Sequence, residues 1–148
     1  MGVKTRTRAD DRKEAKKNVA FAKLNNCPTS PRKMRLIADL IRGKRVELAL
    51  HILKNNAKQP SERLRKLLLS AIANWQIKNE GLRIEDSDLI VKEVFVDSGR
   101  QLKRLLTAPQ GRAHRIRKRS NHVTILLDSR NKPEVEAEET EEVEENTK

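Results

Sequence analysis

Two strand-like runs, residues 89–97 and 123–127, bracket a segment that holds no carboxylate between Asp97 and Asp128 and yet carries Arg100, Lys103, Arg104, Arg112, Arg115, Arg117, Lys118 and Arg119. The first run is rich in β-branched and aromatic residues, and the second places Val123, Ile125 and Leu127 on one face, as half-buried strands do. The runs read as hairpin partners. Their connection of about twenty residues is far above the two to five of an ordinary hairpin loop, so it is either disordered or itself a long two-stranded ribbon, and the ribbon, spanning about residues 98–120, is the favoured reading. Ten residues per arm at about 3.3 Å each project roughly 33 Å beyond the body. Gly111, beside Pro109, is the natural tip. Eight like charges this close repel one another, and a polyanion that neutralises them is the partner such an arm demands. Nucleic acid fits that description.

Length and charge agree. A chain of 148 residues with 36% apolar content builds one modest core. Residues 134–148 hold eight glutamates and one lysine, a charge of −7, so the net +12 of the whole chain conceals +19 on residues 1–133. No apolar span suits a membrane, and the charged start lacks the apolar stretch of a signal peptide, which points to a protein that stays where it was made. The single cysteine, Cys27, excludes an internal disulfide and any thiolate metal cluster, and reads as a small buried thiol.

Three parts follow from the composition. Residues 1–18, with seven basic and three acidic residues, form a flexible basic lead. Residues 19–130 form one globular domain that includes the hairpin. Residues 131–148 form a disordered acidic tail. Within the domain, residues 19–25 read as a short strand. Ser30 then caps a helix with Pro31 at its first position, and Met34, Ile37, Ala38 and Ile41 follow at helical spacing. Gly43 breaks the helix; Val46, Ala49, Leu50 and Leu53 resume the period to about Asn56. A third helix opens near Pro60 and runs through Leu64, Leu67, Leu68, Ala71, Ile72 and Trp75 towards Gly81, with small residues that allow close approach of another element. The fold class is α+β.

Catalytic and metal chemistry find little support. His51, His114 and His122 fall on a helix, the arm and a strand, and make no ligand set. Ser120, His122 and Asp128 have the residue types of a hydrolase triad but lie close together on one strand, without a nucleophile turn. Glu85, Asp86 and Asp88 read as turn solvation before a strand, since no calcium-loop pattern continues from them. No glycine-rich phosphate loop occurs, and no cofactor is called for. A helix-turn-helix DNA reader built around Gly43 would have to read bases mainly with Glu47 and His51. A small RNA-processing enzyme would have only His114 near the arm.

The basic signal itself favours RNA shape over base reading. Six of the eight arm cations are arginine, suited to bidentate phosphate contacts. Phe21, Trp75 and Phe95 are the only aromatic residues and sit outside the arm, so stacking on an open platform is not the main mechanism. A second basic surface, Arg32, Lys33, Arg35, Arg42, Lys44 and Arg45, surrounds the first helix and its Gly43 break.

The stretches SPRKMRLIADLIRGK at residues 30–44, KLLLSAIAN at 66–74, and VDSGRQLKR followed by GRAHRIRKRSNHVTILL up to residue 127 closely resemble the bacterial large-subunit ribosomal protein twenty-two family, from about residue 17 to residue 130. The resemblance implies three helices packed on a three-stranded antiparallel sheet, with one long protruding β-hairpin. It implies a structural, non-enzymatic constituent of the large ribosomal subunit. Such a protein binds 23S-type ribosomal RNA, supports early subunit assembly, keeps its body near the mouth of the nascent-peptide exit tunnel and lines the tunnel with its hairpin. The implied partners are that RNA, neighbouring large-subunit proteins and the nascent peptide; neither a membrane nor a homo-oligomer is implied. Carried over residue by residue, Ser30, Arg32, Lys33, Arg42, Gly43 and Lys44 match the helix motif, with Gly43 in a structural role, and Lys103, Arg104, Gly111, Arg112, Arg115, Lys118 and Arg119 match the hairpin motif. Arg100 and Arg117 join the RNA-binding set as cations of the same arm. The chain departs from the family at Arg100, where Gly-Pro is common, at residues 107–110, where two tip cations are missing, and at Trp75, where a small residue is usual.

Overall fold

The computed structural model describes residues 6–10, 13, 19–79 and 87–130. Of the basic lead, residues 6–10 and 13 are described and are helical. The remainder of that lead, Gly81, the acidic pair Glu85 and Asp86, and the tail at 131–148 lie outside the described residues. From residue 20 the chain runs β1 (Ala20–Cys27), α1 (Pro31–Ile41), α2 (Val46–Asn55), α3 (Gln59–Lys78), β2 (Leu89–Thr107) and β3 (Ala113–Ser129), with one 3₁₀ turn at Pro109–Gly111.

The last strand lies at the centre of the sheet, in the antiparallel order β1-β3-β2. On β3 the period of two is kept, with Val123, Ile125 and Leu127 buried towards the helices and His122, Thr124 and Leu126 on the other face. Ile125 lies opposite Ala22 of β1 and Val94 of β2. On β2, Val91 and Val94 are three apart and both buried, because a register shift between Val91 and Glu93 restores the phase. The uncovered face leaves Phe21 and Phe95 about half exposed, and the Lys78 ammonium stands 5.8 Å from the centre of the Phe21 ring.

Pro31 opens α1 where the spacing predicts it. The Ser30 carbonyl accepts the Met34 N–H at 3.1 Å, but the Ser30 side chain makes no capping bond, contrary to expectation. Met34, Ile37, Ala38 and Ile41 are buried, each large side chain contributing about 1.5–3 kcal/mol of transfer free energy. Gly43 takes φ +70°, a left-handed conformation that favours glycine. Its N–H donates to the Val91 carbonyl at 2.8 Å, and the Val91 N–H donates to the Lys44 carbonyl at 2.9 Å, so the α1–α2 turn extends the edge of β2.

The helix α3 lies on β1, where Ala71 on one element and Ala20 and Ala22 on the other keep the interface small. Asn74 Nδ2 donates to the Phe21 carbonyl at 3.0 Å, and Trp75 fills the core. The loop before α1 is tied to β3 by Asn121 Nδ2, which donates to the Thr29 carbonyl at 2.6 Å from a fully buried position. Cys27 is buried beside it, its sulfur 3.1 Å from both Thr29 Oγ1 and Arg63 Nη1. These contacts fix α1 at the root of the long hairpin.

Candidate RNA interface

Beyond Asn121 the two long strands leave the helices behind. No residue from 97 to 120 is buried, and the ladder continues from Gln101 opposite Arg119 to Thr107 opposite Ala113. The turn closes with Gln110 at φ 60° and Gly111 at φ 68°, both left-handed, and with the Ala108 N–H donating to the Arg112 carbonyl at 2.9 Å. Gly111 stands at the tip, as its place beside Pro109 predicts.

Pairing sorts the cations by face, since directly opposed residues in a ladder point the same way. One face carries Lys103, Arg115, Arg117 and Arg119, together with Gln101 and Leu105; the other carries Arg104 and Lys118 with Leu102, Ile116, Leu106 and His114. Arg115, Arg117 and Arg119 succeed one another at two-residue steps of about 6.6 Å. Arg112 stands at the tip and Arg100 at the root. Among the described residues no ion pair joins any of these cations to a carboxylate; the five ion pairs present all lie elsewhere. The repulsion inferred from the sequence is therefore unrelieved within the described part of the chain.

Composition did not reveal the apolar component of the arm. Leu105 is 74% exposed, and Leu102, Leu106 and Ile116 are also open to solvent. An open groove on the ribbon is lined by Lys103, Arg104, Leu105, Arg115, Ile116 and Arg117. Only the register shows which leucines share a face with which cations.

The second basic surface divides into two kinds of residue. Arg32, Lys33 and Lys44 are exposed and make no ion pair among the described residues. Arg42, by contrast, is engaged by the fold: Nη1 donates to Asp39 at 2.8 Å and Nη2 to the Val94 carbonyl at 3.0 Å. Arg35 donates through Nε and Nη2 to the Val96 carbonyl at 3.2 and 3.0 Å. Arg45 holds Asp88 at 3.1 Å. Two of these arginines occupy carbonyls on the outer edge of β2, a role the sequence did not disclose.

The residues with catalytic chemistry are engaged apart from one another. Ser120 donates to the Arg100 carbonyl, His122 Nδ1 accepts the Asn26 N–H at 3.1 Å, and Asp128 accepts from Lys92 at 2.6 Å. Among the described residues no group of three or more His, Cys, Asp or Glu is placed to hold a metal ion, and no helix is long and apolar enough to cross a membrane. On α2 the buried side is Val46, Ala49 and Leu53, which leaves Glu47, Leu48 and His51 outward; the helix holds no guanidinium, and its one amide, Asn55, stands at its last position.

Comparison with known proteins bears on this geometry directly. The family model described as ribosomal protein L22p/L17e matches residues 22–128, which takes in the sheet, the three helices and the whole arm. The large ribosomal subunit protein uL22 of Christiangramia forsetii is 69% identical over 131 residues, covering 88% of this chain and 97% of that protein. The protein of the same name from Flavobacterium johnsoniae is 66% identical over 127 residues, 86% of this chain and 93% of its own length. That from Bacteroides fragilis strain YCH46 is 55% identical over 134 residues, 90% and 98% of the two chains. The chain belongs to the ribosomal protein L22p/L17e family, whose members are structural proteins of the ribosome and not enzymes.

Proposed function

We propose that this chain is a structural constituent of the cytoplasmic large ribosomal subunit. It binds 23S-type ribosomal RNA, supports early subunit assembly and lines the nascent-peptide exit tunnel with its hairpin. The observation that carries this reading is the face bearing Lys103, Arg115, Arg117 and Arg119, held clear of the body on a paired ribbon and free of any carboxylate. Affinity comes from counterions released as these cations meet phosphates, and the ribbon's shape decides where the charges go.

Residues of α1 contribute a second contact through Arg32, Lys33 and Lys44, with Arg42 joining by the part of its guanidinium that remains exposed. Arg100 and Arg112 extend the arm's contact to its root and tip, and Gly111 shapes the turn. The opposite face, where Arg104 and Lys118 alternate with Leu102, Ile116 and Leu106, suits a mixed surface against nucleobases, neighbouring ribosomal proteins and the emerging peptide.

Replacing Arg112, Arg115, Arg117 and Arg119 together with Gln tests the reading. The variant folds, since none of the four is buried or ion-paired among the described residues, and it enters large subunits poorly. Normal incorporation of the folded variant contradicts the assigned role of the arm.

A further inference from the structure

The uncovered face of the sheet is built from residues that the ladder sets side by side. Phe21 of β1, Leu126 of β3 and Glu93 of β2 form one row across it, Lys23, Thr124 and Phe95 the next, and His122 and Asp97 a third. Directly opposed residues point the same way, so these side chains share the face turned away from the buried Val123, Ile125 and Leu127. Of the three aromatic residues in the chain only Trp75 is buried; the other two are both here, Phe21 at 45% and Phe95 at 48% exposure. They stand about 12 Å apart on a diagonal, with Leu126 and Thr124 between them. Exposed rings around an aliphatic centre have the composition of an interface core.

Charge on this face is divided by strand. Lys23 stands on β1, and Lys78 reaches round that edge from α3, donating to the Val19 carbonyl at 2.7 Å and standing over the Phe21 ring. Glu93 and Asp97 flank Phe95 on β2. Among the described residues Lys23, Glu93 and Asp97 enter no ion pair, whereas Asp128, at the end of the face, is held by Lys92 at 2.6 Å. The arm carries cations and no carboxylate, but here two carboxylates stand on either side of a ring. They repel a phosphate backbone that crosses Phe95, so the partner this face fits is a polypeptide. Size narrows the choice further. Three strands about 4.8 Å apart over about six residues give a platform of a few hundred Å², well below the roughly 800 Å² per partner of a stable stand-alone interface. A second copy of the chain finds too little here to hold it. One α-helix, about 10 Å across, covers the three strands, and a partner already held in the same particle has the rest of its anchoring elsewhere.

We propose that this face is the docking site for one amphipathic helix of a neighbouring large-subunit protein. The apolar stripe of that helix lies on Phe21, Leu126 and Phe95, its acidic flank towards Lys23 and its basic flank towards Glu93 and Asp97. The shape and charge of the face belong to this chain; the choice of a large-subunit partner rests on the function proposed above. Docking gives the sheet helices on both sides, the layered arrangement that buries both faces of a sheet. Because α1 and its basic residues lie on the other side of the sheet, this partner and RNA bound at α1 do not compete.

The photocrosslinker p-benzoylphenylalanine, placed in turn at Phe21 and at Phe95 of the full chain, tests this in purified large subunits that are irradiated and mapped by mass spectrometry. Both positions are expected to crosslink to one helical segment of one other large-subunit protein. Carboxylates lie within a turn of the residue caught from position 21, and Lys or Arg within a turn of the residue caught from position 95. In a Glu93→Lys, Asp97→Lys variant the crosslink from position 21 falls several-fold, and in Lys23→Glu the crosslink from position 95 does the same, while both variants still enter large subunits. Crosslinks to RNA, to a second copy or within the chain itself overturn the proposal. So do a captured segment without that charge pattern and yields that the charge reversals leave unchanged. A chain that is present in large subunits and gives no crosslink overturns this proposal alone; a chain absent from them overturns the functional reading as well.

Discussion

Gly99 packs against Ser120 so closely that a Cβ built on Gly99 stands 2.7 Å from Ser120 Oγ and 3.2 Å from the Ser120 backbone carbon. The cause is a register shift at the root of the arm. Ser98 pairs with Asn121 and Gln101 with Arg119, which leaves Gly99 and Arg100 together opposite Ser120. Ser120 Oγ donates to the Arg100 carbonyl at 2.5 Å and pins the bulge. A bulge bends its strand, so this pair of residues directs the arm away from the sheet.

Gly99→Ala is therefore expected to destabilise the protein by about 1–3 kcal/mol, the usual cost of forcing extra volume into a packed site. Urea denaturation measures it. Adding Ser120→Ala removes the nearer clash and is expected to restore only part of the loss, because the contact with the Ser120 backbone remains.

Arg35 and Arg42 bind the edge of β2 to α1 through the Val96 and Val94 carbonyls. Each substitution to Ala is expected to cost about 1–2 kcal/mol, since the bond removed is charge-assisted and partly buried. Exposed Arg32→Ala is expected to stay within about 0.5 kcal/mol of the parent. Thermal unfolding of the three variants separates stabilising arginines from those free for RNA.

The Glu62 carboxyl is held below its usual 4.5, mainly by its hydrogen bond to Lys66 and then by the charge of that lysine. A folded-state value below the unfolded one contributes stability that is present above the ordinary carboxylate range and is lost as pH falls through the lowered value. The pair is well exposed, so the contribution is small. Stability profiles of the parent and Glu62→Gln are expected to run apart at neutral pH and converge on acidification. Chemical denaturation between pH 7 and pH 3 checks this.

Much of this fold is legible in local signals. Pro31 after an extended Ser30, the spacing of Met34, Ile37 and Ile41, and Gly43 at a left-handed turn are properties of short segments, and all three appear where the residues point. The pairing of the runs 89–97 and 123–127 also appears, because alternation on β3 leaves one register that buries Val123, Ile125 and Leu127, and the ladder runs on to Ser129 opposite Leu89. What depends on distant partners stayed hidden. The bulge at Gly99 exists only relative to Ser120, and the carbonyl bonds of Arg35 and Arg42 only relative to an edge strand more than fifty residues away. Ser30 has the residue type of a cap, yet its side chain does not act as one. The eight arm cations could be counted in advance, but not sorted into faces, because that division needs the ladder.

That division leads to the most direct test. Binding of a large-subunit ribosomal RNA fragment is titrated against salt for the parent chain and for a variant with Lys103, Arg115, Arg117 and Arg119 changed to Gln. Six or more phosphate contacts predict that the parent loses about a thousandfold in affinity between roughly 50 and 200 mM salt. Removing the four cations is expected to flatten the log–log slope by about three to four. A parent whose affinity barely responds to salt, or a variant whose slope matches the parent's, contradicts electrostatic capture by the arm.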